Sequence, residues 1–189
     1  MMRFETIQTT IIMNETTISQ FPVPENSARD QSLPSNPANT ANPAGAPKRI
    51  PPYTIYKPNN RGDGGAVSFS LNKAKGAVFV EAANQSGERQ FDWENKIIMK
   101  WGLQDLGAIL AGLQGREAET KLFHQTEKAN SACTLMSREN PDQAPFLIAV
   151  SRQDAEDKQV RKVTITLSMA EAAILETAIR TAIGRVLLW

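Results

Sequence analysis

One pattern occurs twice in this chain, and it constrains the fold more than any other feature. Lys96-Ile97-Ile98-Met99-Lys100-Trp101-Gly102-Leu103-Gln104-Asp105 and Lys162-Val163-Thr164-Ile165-Thr166-Leu167-Ser168-Met169-Ala170-Glu171 match position for position in residue character. Side chains alternate across a strand, so Ile97, Met99 and Trp101 share one face, as do Val163, Ile165 and Leu167. A small residue then turns the chain. An acid follows in the next turn, where the dipole of a starting helix favours negative charge. The chain is expected to contain two copies of a unit in which strands run straight into a helix.

The rest of the sequence fits that plan. Short apolar or alternating runs at 53–56, 66–71, 77–81, 89–93 and 96–101 are separated by turn residues, which predicts an antiparallel meander. Leu103, Leu106, Leu110 and Leu113 recur at helical spacing, with Ile109 widening the stripe and Gly115 as the stop. Further strands are expected at 121–124, 132–137, 145–151 and 160–167, with an acidic loop at 154–157. Ser168 and Glu171 have the capping-box spacing, and the helix that follows is expected to run nearly to Trp189. It is apolar over most of its circumference: Ala172, Leu175, Ile179, Ala182, Ile183 and Val186 form one stripe, broadened by Ile174, Ala178 and Leu187. One small sheet covers one side of such a helix, so its other side is expected against a neighbouring subunit. Burial within its own domain is the competing reading. The fold class is α+β, two sheets each followed by a helix.

Ahead of this lies a segment that cannot build a core. Residues 1–49 are rich in Asn, Pro, Ser, Thr and Ala, and Pro22, Pro24, Pro34, Pro37, Pro43 and Pro47 crowd its second half. It is read as a disordered arm preceding a domain at 50–189. Glu5, Glu15, Glu25 and Asp30 do not suit an organelle leader, and the opening is too short and polar for a secretory one. No run approaches the ~18 apolar residues of a membrane span. With a single cysteine, Cys133, the chain has no intrachain disulfide. The reading is of a cytoplasmic, nucleoid-associated bacterial protein.

Chemistry is sparse. The single histidine, His124, and Cys133 cannot make a zinc site, and both read as structural. Gly62-Asp63-Gly64-Gly65 lacks the Lys-Ser/Thr of a phosphate loop and reads as a turn. Asp92 and Glu94 would lie on opposite faces of a strand, which suits no acid–base pair. No catalytic residue, cofactor or metal is assigned. The outward face is more informative. Lys96, Ile98 and Lys100 oppose the inward set in the first copy, and Lys162, Thr164 and Thr166 do so in the second. With a net charge of +1, nucleic-acid binding would depend on local placement of cations beside rings. Lys73, Lys75, Arg89, Lys96 and Lys100 are the candidates for phosphates. Phe79, Phe91 and Trp93 are the candidates for base stacking, Trp93 being equally readable as core. Solubilising lysines and core aromatics are the plain alternative.

Several of these residues sit in a familiar context. Gly87-Glu88-Arg89-Gln90-Phe91-Asp92-Trp93-Glu94-Asn95-Lys96 resembles the Whirly family, whose members carry a Gly-Glu-Arg-aromatic-Asp-Trp segment after the second hairpin. Ile55-Tyr56-Lys57 resembles the start of that family's first strand, and Leu122-Phe123-His124 its Phe-Phe-His after the first helix. The close from Thr166 to Trp189 resembles its last helix and terminal aromatic. The resemblance covers residues 53–189. It implies two four-stranded antiparallel sheets, each followed by a helix, with the helices at the core of a homotetramer. It also implies binding of single-stranded DNA with little sequence preference, and Lys57 joins the candidate contacts. The fold is shared with positive-cofactor transcription coactivators and trypanosomal guide-RNA annealing proteins, which keeps RNA open. Plant Whirlies carry Lys-Gly-Lys-Ala-Ala-Leu at the first strand, tied to assembly beyond the tetramer. Here Lys57 is followed by Pro58-Asn59-Asn60, and assembly beyond the tetramer is left open.

The leading reading is thus a tetrameric, non-enzymatic binder of single-stranded DNA serving repair, replication or transcription. An RNA-binding or annealing protein on the same fold is the second. An oligomeric scaffold whose sheets bind protein is the third.

Overall fold

The computed structural model describes residues 51–188 apart from 141 and 157; the expected arm and Trp189 lie outside the described residues. Two meanders make up the domain. β1 (Tyr53–Lys57), β2 (Gly65–Asn72), β3 (Ala77–Asn84) and β4 (Ile97–Trp101) form one antiparallel sheet in that order, and α1 (Leu103–Leu113) follows. β5 (Glu119–Gln125), β6 (Ala129–Ser137), β7 (Phe146–Asp154) and β8 (Val160–Leu167) form the second, and α2 (Met169–Leu187) follows. The fold class inferred from the repeated pattern and the family resemblance is the observed one.

The inward residues of the two copies are the core. Ile97, Met99, Trp101, Val163, Ile165 and Leu167 are all almost wholly buried. They join Val67, Val80, Leu106, Ile109, Leu135, Ile148 and Leu175 in one continuous cluster. Each large side chain removed from water contributes about 1.5–3 kcal/mol. α1 packs on β5 and β6, α2 on β3 and β8, and the helices on each other, while β8 runs along β2 and β3. The sheets approach closely at Gly65, where a Cβ would stand 2.7 Å from Val163 Cγ1 and 3.2 Å from Ile165 Cγ2.

The two helices start alike. Asp105 Oδ2 accepts the Gly102 N–H at 2.8 Å, and Glu171 Oε2 accepts the Ser168 N–H at 2.8 Å. Ser168 Oγ in turn accepts the Glu171 N–H at 3.3 Å, completing a capping box. Each acid also reaches into the other half. Asp105 Oδ1 lies 3.1 Å from His124 Nε2 on β5, and Glu171 Oε2 accepts from Lys57 Nζ on β1 at 2.7 Å. The triplets holding these bases correspond: Ile55 and Leu122 point inward, Tyr56 and Phe123 outward, and Lys57 and His124 back toward an acid.

Most expected elements are present with longer bounds, β5 and β6 each starting ahead of the run that marks them in the sequence. Gly115 adopts a φ of 69° just past α1, as a helix stop requires. The strand expected at 89–93 is a correction. Only an isolated bridge pairs Gln85 with Phe91. The segment instead curls on local bonds: Gln85 Nε2 donates to the carbonyls of Gly87 and Glu88. Asp92 accepts both the backbone and side-chain N–H of Asn95 at 3.1 and 2.9 Å. Side chains that bond their own neighbourhood compete with a ladder, and here they prevail.

Candidate nucleic-acid interface

The outer face of the first sheet follows from its register. Ser70, Phe79 and Lys100 form one row across β2, β3 and β4. Thr54, Ser68, Glu81 and Ile98 form the next, and Tyr56, Ala66 and Ala83 the third. The β2–β3 hairpin closes through a 3-10 turn, Lys73–Lys75, with Asn72 Oδ1 accepting the Lys75 N–H at 3.0 Å. Gly76 follows at a φ of 52°. That turn brings Lys75 Nζ within 5.2 Å of the Phe79 ring centroid, a cation–π distance. Lys73, Lys75, Phe79 and Lys100 therefore gather at one end of the face.

Aromatic rings mark the other end. Tyr56 and Phe91 have centroids 5.5 Å apart. Phe91 is held there by the bend at 85–95, whose clasp is the buried side chain of Gln85. Its Oε1 accepts the N–H groups of Asn59 and Gly64 at 2.9 and 3.2 Å, and its Nε2 donates to Asn59 O at 3.0 Å. The same bend exposes Arg89 and leaves Trp93 partly buried. Between the two ends runs the row of Thr54, Ser68, Glu81 and Ile98, flanked by the small side chains of Ala66, Ser70 and Ala83. The face thus carries a ring at either end.

Not every predicted cation is available to it. Lys96 lies on this face but pairs with Glu81 at 2.9 Å. Lys57 points to the helix side and is held by Glu171, away from that face. Among the described residues, Lys73, Lys75, Arg89 and Lys100 carry no ion pair. Of the predicted residues, the structure brings together Lys73, Lys75, Phe79 and Lys100. Phe91, Arg89 and Trp93 belong to the opposite end.

The second sheet offers a comparable outer face. Phe123, Ala132, Ser151 and Lys162 form one row, and Lys121, Thr134, Ala149 and Thr164 another. Phe123 is 64% exposed, against 55% for its counterpart Tyr56. Neither ring is among the contacts predicted from the sequence. Strict alternation along β5, with Thr120, Leu122 and His124 inward, is the signal that places Phe123 outside.

Burial, with the nearby Asp105 charge, pushes the Cys133 thiol up to about 12, so no thiolate forms near neutrality. No group of three or more His, Cys, Asp or Glu residues able to hold a metal ion occurs among the described residues. No described helix is long and apolar enough to cross a membrane.

Comparison with known proteins gives this geometry a context. The family model described as "Whirly transcription factor" matches residues 61–178. The fold is similar to that of WHY1 from Arabidopsis thaliana, at 18% identity and a TM-score of 0.60, over 74% of this chain and 87% of that one. It is also similar to the plant transcriptional regulator PBF-2, at 21% identity and a TM-score of 0.61, over 76% and 85%. A guide-RNA-binding protein complex bound to a guide RNA shares the fold more distantly, at 14% identity and a TM-score of 0.51, over 71% and 90%. No curated protein matches the chain. With most of the structured domain matched by one family model, the chain belongs to the Whirly family.

Proposed function

We propose that this protein binds single-stranded DNA with little sequence preference, across the outer faces of its two sheets, as a homotetramer. The observation that carries the reading is the cluster of Lys75, Phe79 and Lys100, two unpaired cations beside an outward ring. Cations of this kind follow phosphates while the ring takes a base, and stacking is indifferent to which base it receives. Duplex reading wants a basic helix or ribbon, and α2 has only Arg180 and Arg185, the former tied to Glu176. The work implied is protection or organisation of DNA opened in repair, replication or transcription.

Assembly is supported by what α2 leaves uncovered. Ala172, Leu175, Ile179 and Ala182 are buried in their own domain, but Met169 and Ile174 are 68% and 53% exposed. An apolar groove of about 210 Å³ opens beside the helix, lined by Tyr53, Leu71, Leu175, Ala178 and Ala182 among others. Exposed apolar surface of this kind marks contact with another chain.

Fluorescence anisotropy with single-stranded DNA, matched RNA and duplex DNA tests the binding, and light scattering tests the assembly. Single-stranded DNA is expected to bind tightest. The Lys75→Ala/Lys100→Ala variant should bind more weakly and lower the salt slope by about 0.7 for each phosphate it no longer neutralises. Tighter binding of RNA would reassign the ligand to the class held by the guide-RNA-binding relative. Failure to bind any unpaired oligomer would leave the sheets as protein-docking surfaces.

A further inference from the structure

One row on the outer face of the second sheet differs in chemistry from its surroundings. Register sets Gln125 of β5 opposite Asn130 of β6, and Asn130 opposite Gln153 of β7. Three carboxamides thus lie side by side on neighbouring strands, about 4.8 Å apart in strand spacing. All three line a cavity of about 360 Å³ beside the β5–β6 turn and the β7–β8 connection. Gln153 Nε2 donates to Lys158 O at 3.1 Å, which leaves its Oε1 as an acceptor. Among the described residues, the carboxamides of Gln125 and Asn130 have no hydrogen-bond partner. Phe123, two residues before Gln125 and on the same face, is 64% exposed. Its row runs across the sheet to Lys162.

A carboxamide carries no net charge, so this row has no pull on phosphate. What it presents is a donor beside an acceptor, repeated, which is the complement of a base edge. Two carboxylates lie in the cavity wall: Asp154 spends Oδ1 on Arg152 and Oδ2 on Arg161, while Glu127, in the exposed β5–β6 turn, has no ion pair among the described residues and repels phosphate on that side of the row. Phe123 supplies a stacking surface next to the row, and Lys158 and Lys162 supply charge for the backbone on either side. Among the bases, adenine fits a row of carboxamides best. Its 6-amino group sits between N1 and N7, giving a donor–acceptor pair on each of two edges. Guanine shows two adjacent acceptors, O6 and N7, where adenine shows N6–H and N7.

We infer that Gln125, Asn130 and Gln153 form a nucleobase subsite that prefers adenine, holding one unstacked base by its edge beside Phe123. The inference rests on the single-strand reading above and refines it: a sequence-tolerant surface contains one discriminating position per protomer.

The test is anisotropy on the full chain with thymidine oligomers, either unmodified or carrying one adenosine, cytidine, guanosine or 7-deaza-adenosine at the centre. One adenosine is expected to tighten binding about tenfold, and 7-deaza-adenosine, which lacks the N7 acceptor, to lose part of that gain. Gln125→Ala/Asn130→Ala should keep the wild-type circular-dichroism spectrum and melting temperature, showing that it is folded, and should no longer distinguish the adenosine oligomer from the all-thymidine one. Equal affinity for all the oligomers, preference for another base, or an adenosine preference that survives in the double variant would each overturn the subsite while leaving single-strand binding intact. Binding to none of them would sink the single-strand reading and the subsite with it.

Discussion

Lys57 Nζ sits 2.7 Å from Glu171 Oε2, and this pair ties the first strand of one half to the helix start of the other. Burial alone would push the Glu171 carboxyl up, but Lys57 together with the Ser168 hydroxyl and amide outweighs it and holds the group below the usual 4.5. A depressed carboxyl stabilises the fold above its unfolded value and loses that contribution as pH falls through its folded one. Replacing Glu171 by Ala removes cap and pair together and should cost about 1–2 kcal/mol in urea unfolding at neutral pH. The difference from wild type should shrink as pH drops below 4.5. Affinity for single-stranded DNA should stay unchanged in Lys57→Ala.

Glu81 bonds Lys96 on the face assigned to DNA, and it is the acidic residue in the row beside Phe79 and Lys100. Neutralising it as Glu81→Gln releases a cation and removes a repelling charge. Binding of single strands should tighten, and its dependence on log salt should steepen by about 0.7. An anisotropy series between low and moderate salt reads both. Phe79→Ala acts oppositely, weakening binding by about 1–3 kcal/mol with little change in salt slope.

The repeated strand-to-helix pattern makes both helix starts and the inward residues of β4 and β8 legible in the sequence, because period-2 burial and a capping acid are local signals. The bend at 85–95 is not legible there. Its course depends on Gln85 reaching loops on both sides, and Gln85, Asp92 and Asn95 look in sequence like ordinary polar residues of a strand and turn. Lys57 and Lys96 read as free cations because Glu171 and Glu81 are distant along the chain, and only the folded register brings those acids within reach. Lys75, Phe79 and Lys100 are legible as a group, since alternation and the hairpin bring them to one face without distant partners. The alternation that exposes Phe123 is just as local: it is the same whether the strand starts at Glu119 or at Lys121, and Leu122-Phe123-His124 already carries it.

Gly65 has no room for a methyl group between β2 and β8. Gly65→Ala drives a Cβ toward Val163 Cγ1, and relief requires the buried Val163 and Ile165 side chains or β8 itself to give way. Overpacking of this kind costs about 1–3 kcal/mol. The melting temperature of Gly65→Ala should fall accordingly, whereas Gly107→Ala, on the exposed face of α1 with nothing nearby, should raise it.

Cys133 is wholly buried and its thiol is pushed up to about 12. A thiol-specific reagent at mildly alkaline pH should leave the native protein unlabelled over the time in which the urea-unfolded chain reacts fully. Labelling that matches the unfolded rate would show that β6 opens freely in the native state.

Asp105 meets a base on β5 and Glu171 meets the corresponding base on β1, so each half gives an acid and receives one. Two copies of a half-length chain related by a two-fold axis would make the same reciprocal contact, as an isologous dimer does. Peptide continuity through the exposed residues 115–118 then contributes less to holding the halves together than their shared apolar interior does. Fragments divided there should find each other in solution and re-form the domain.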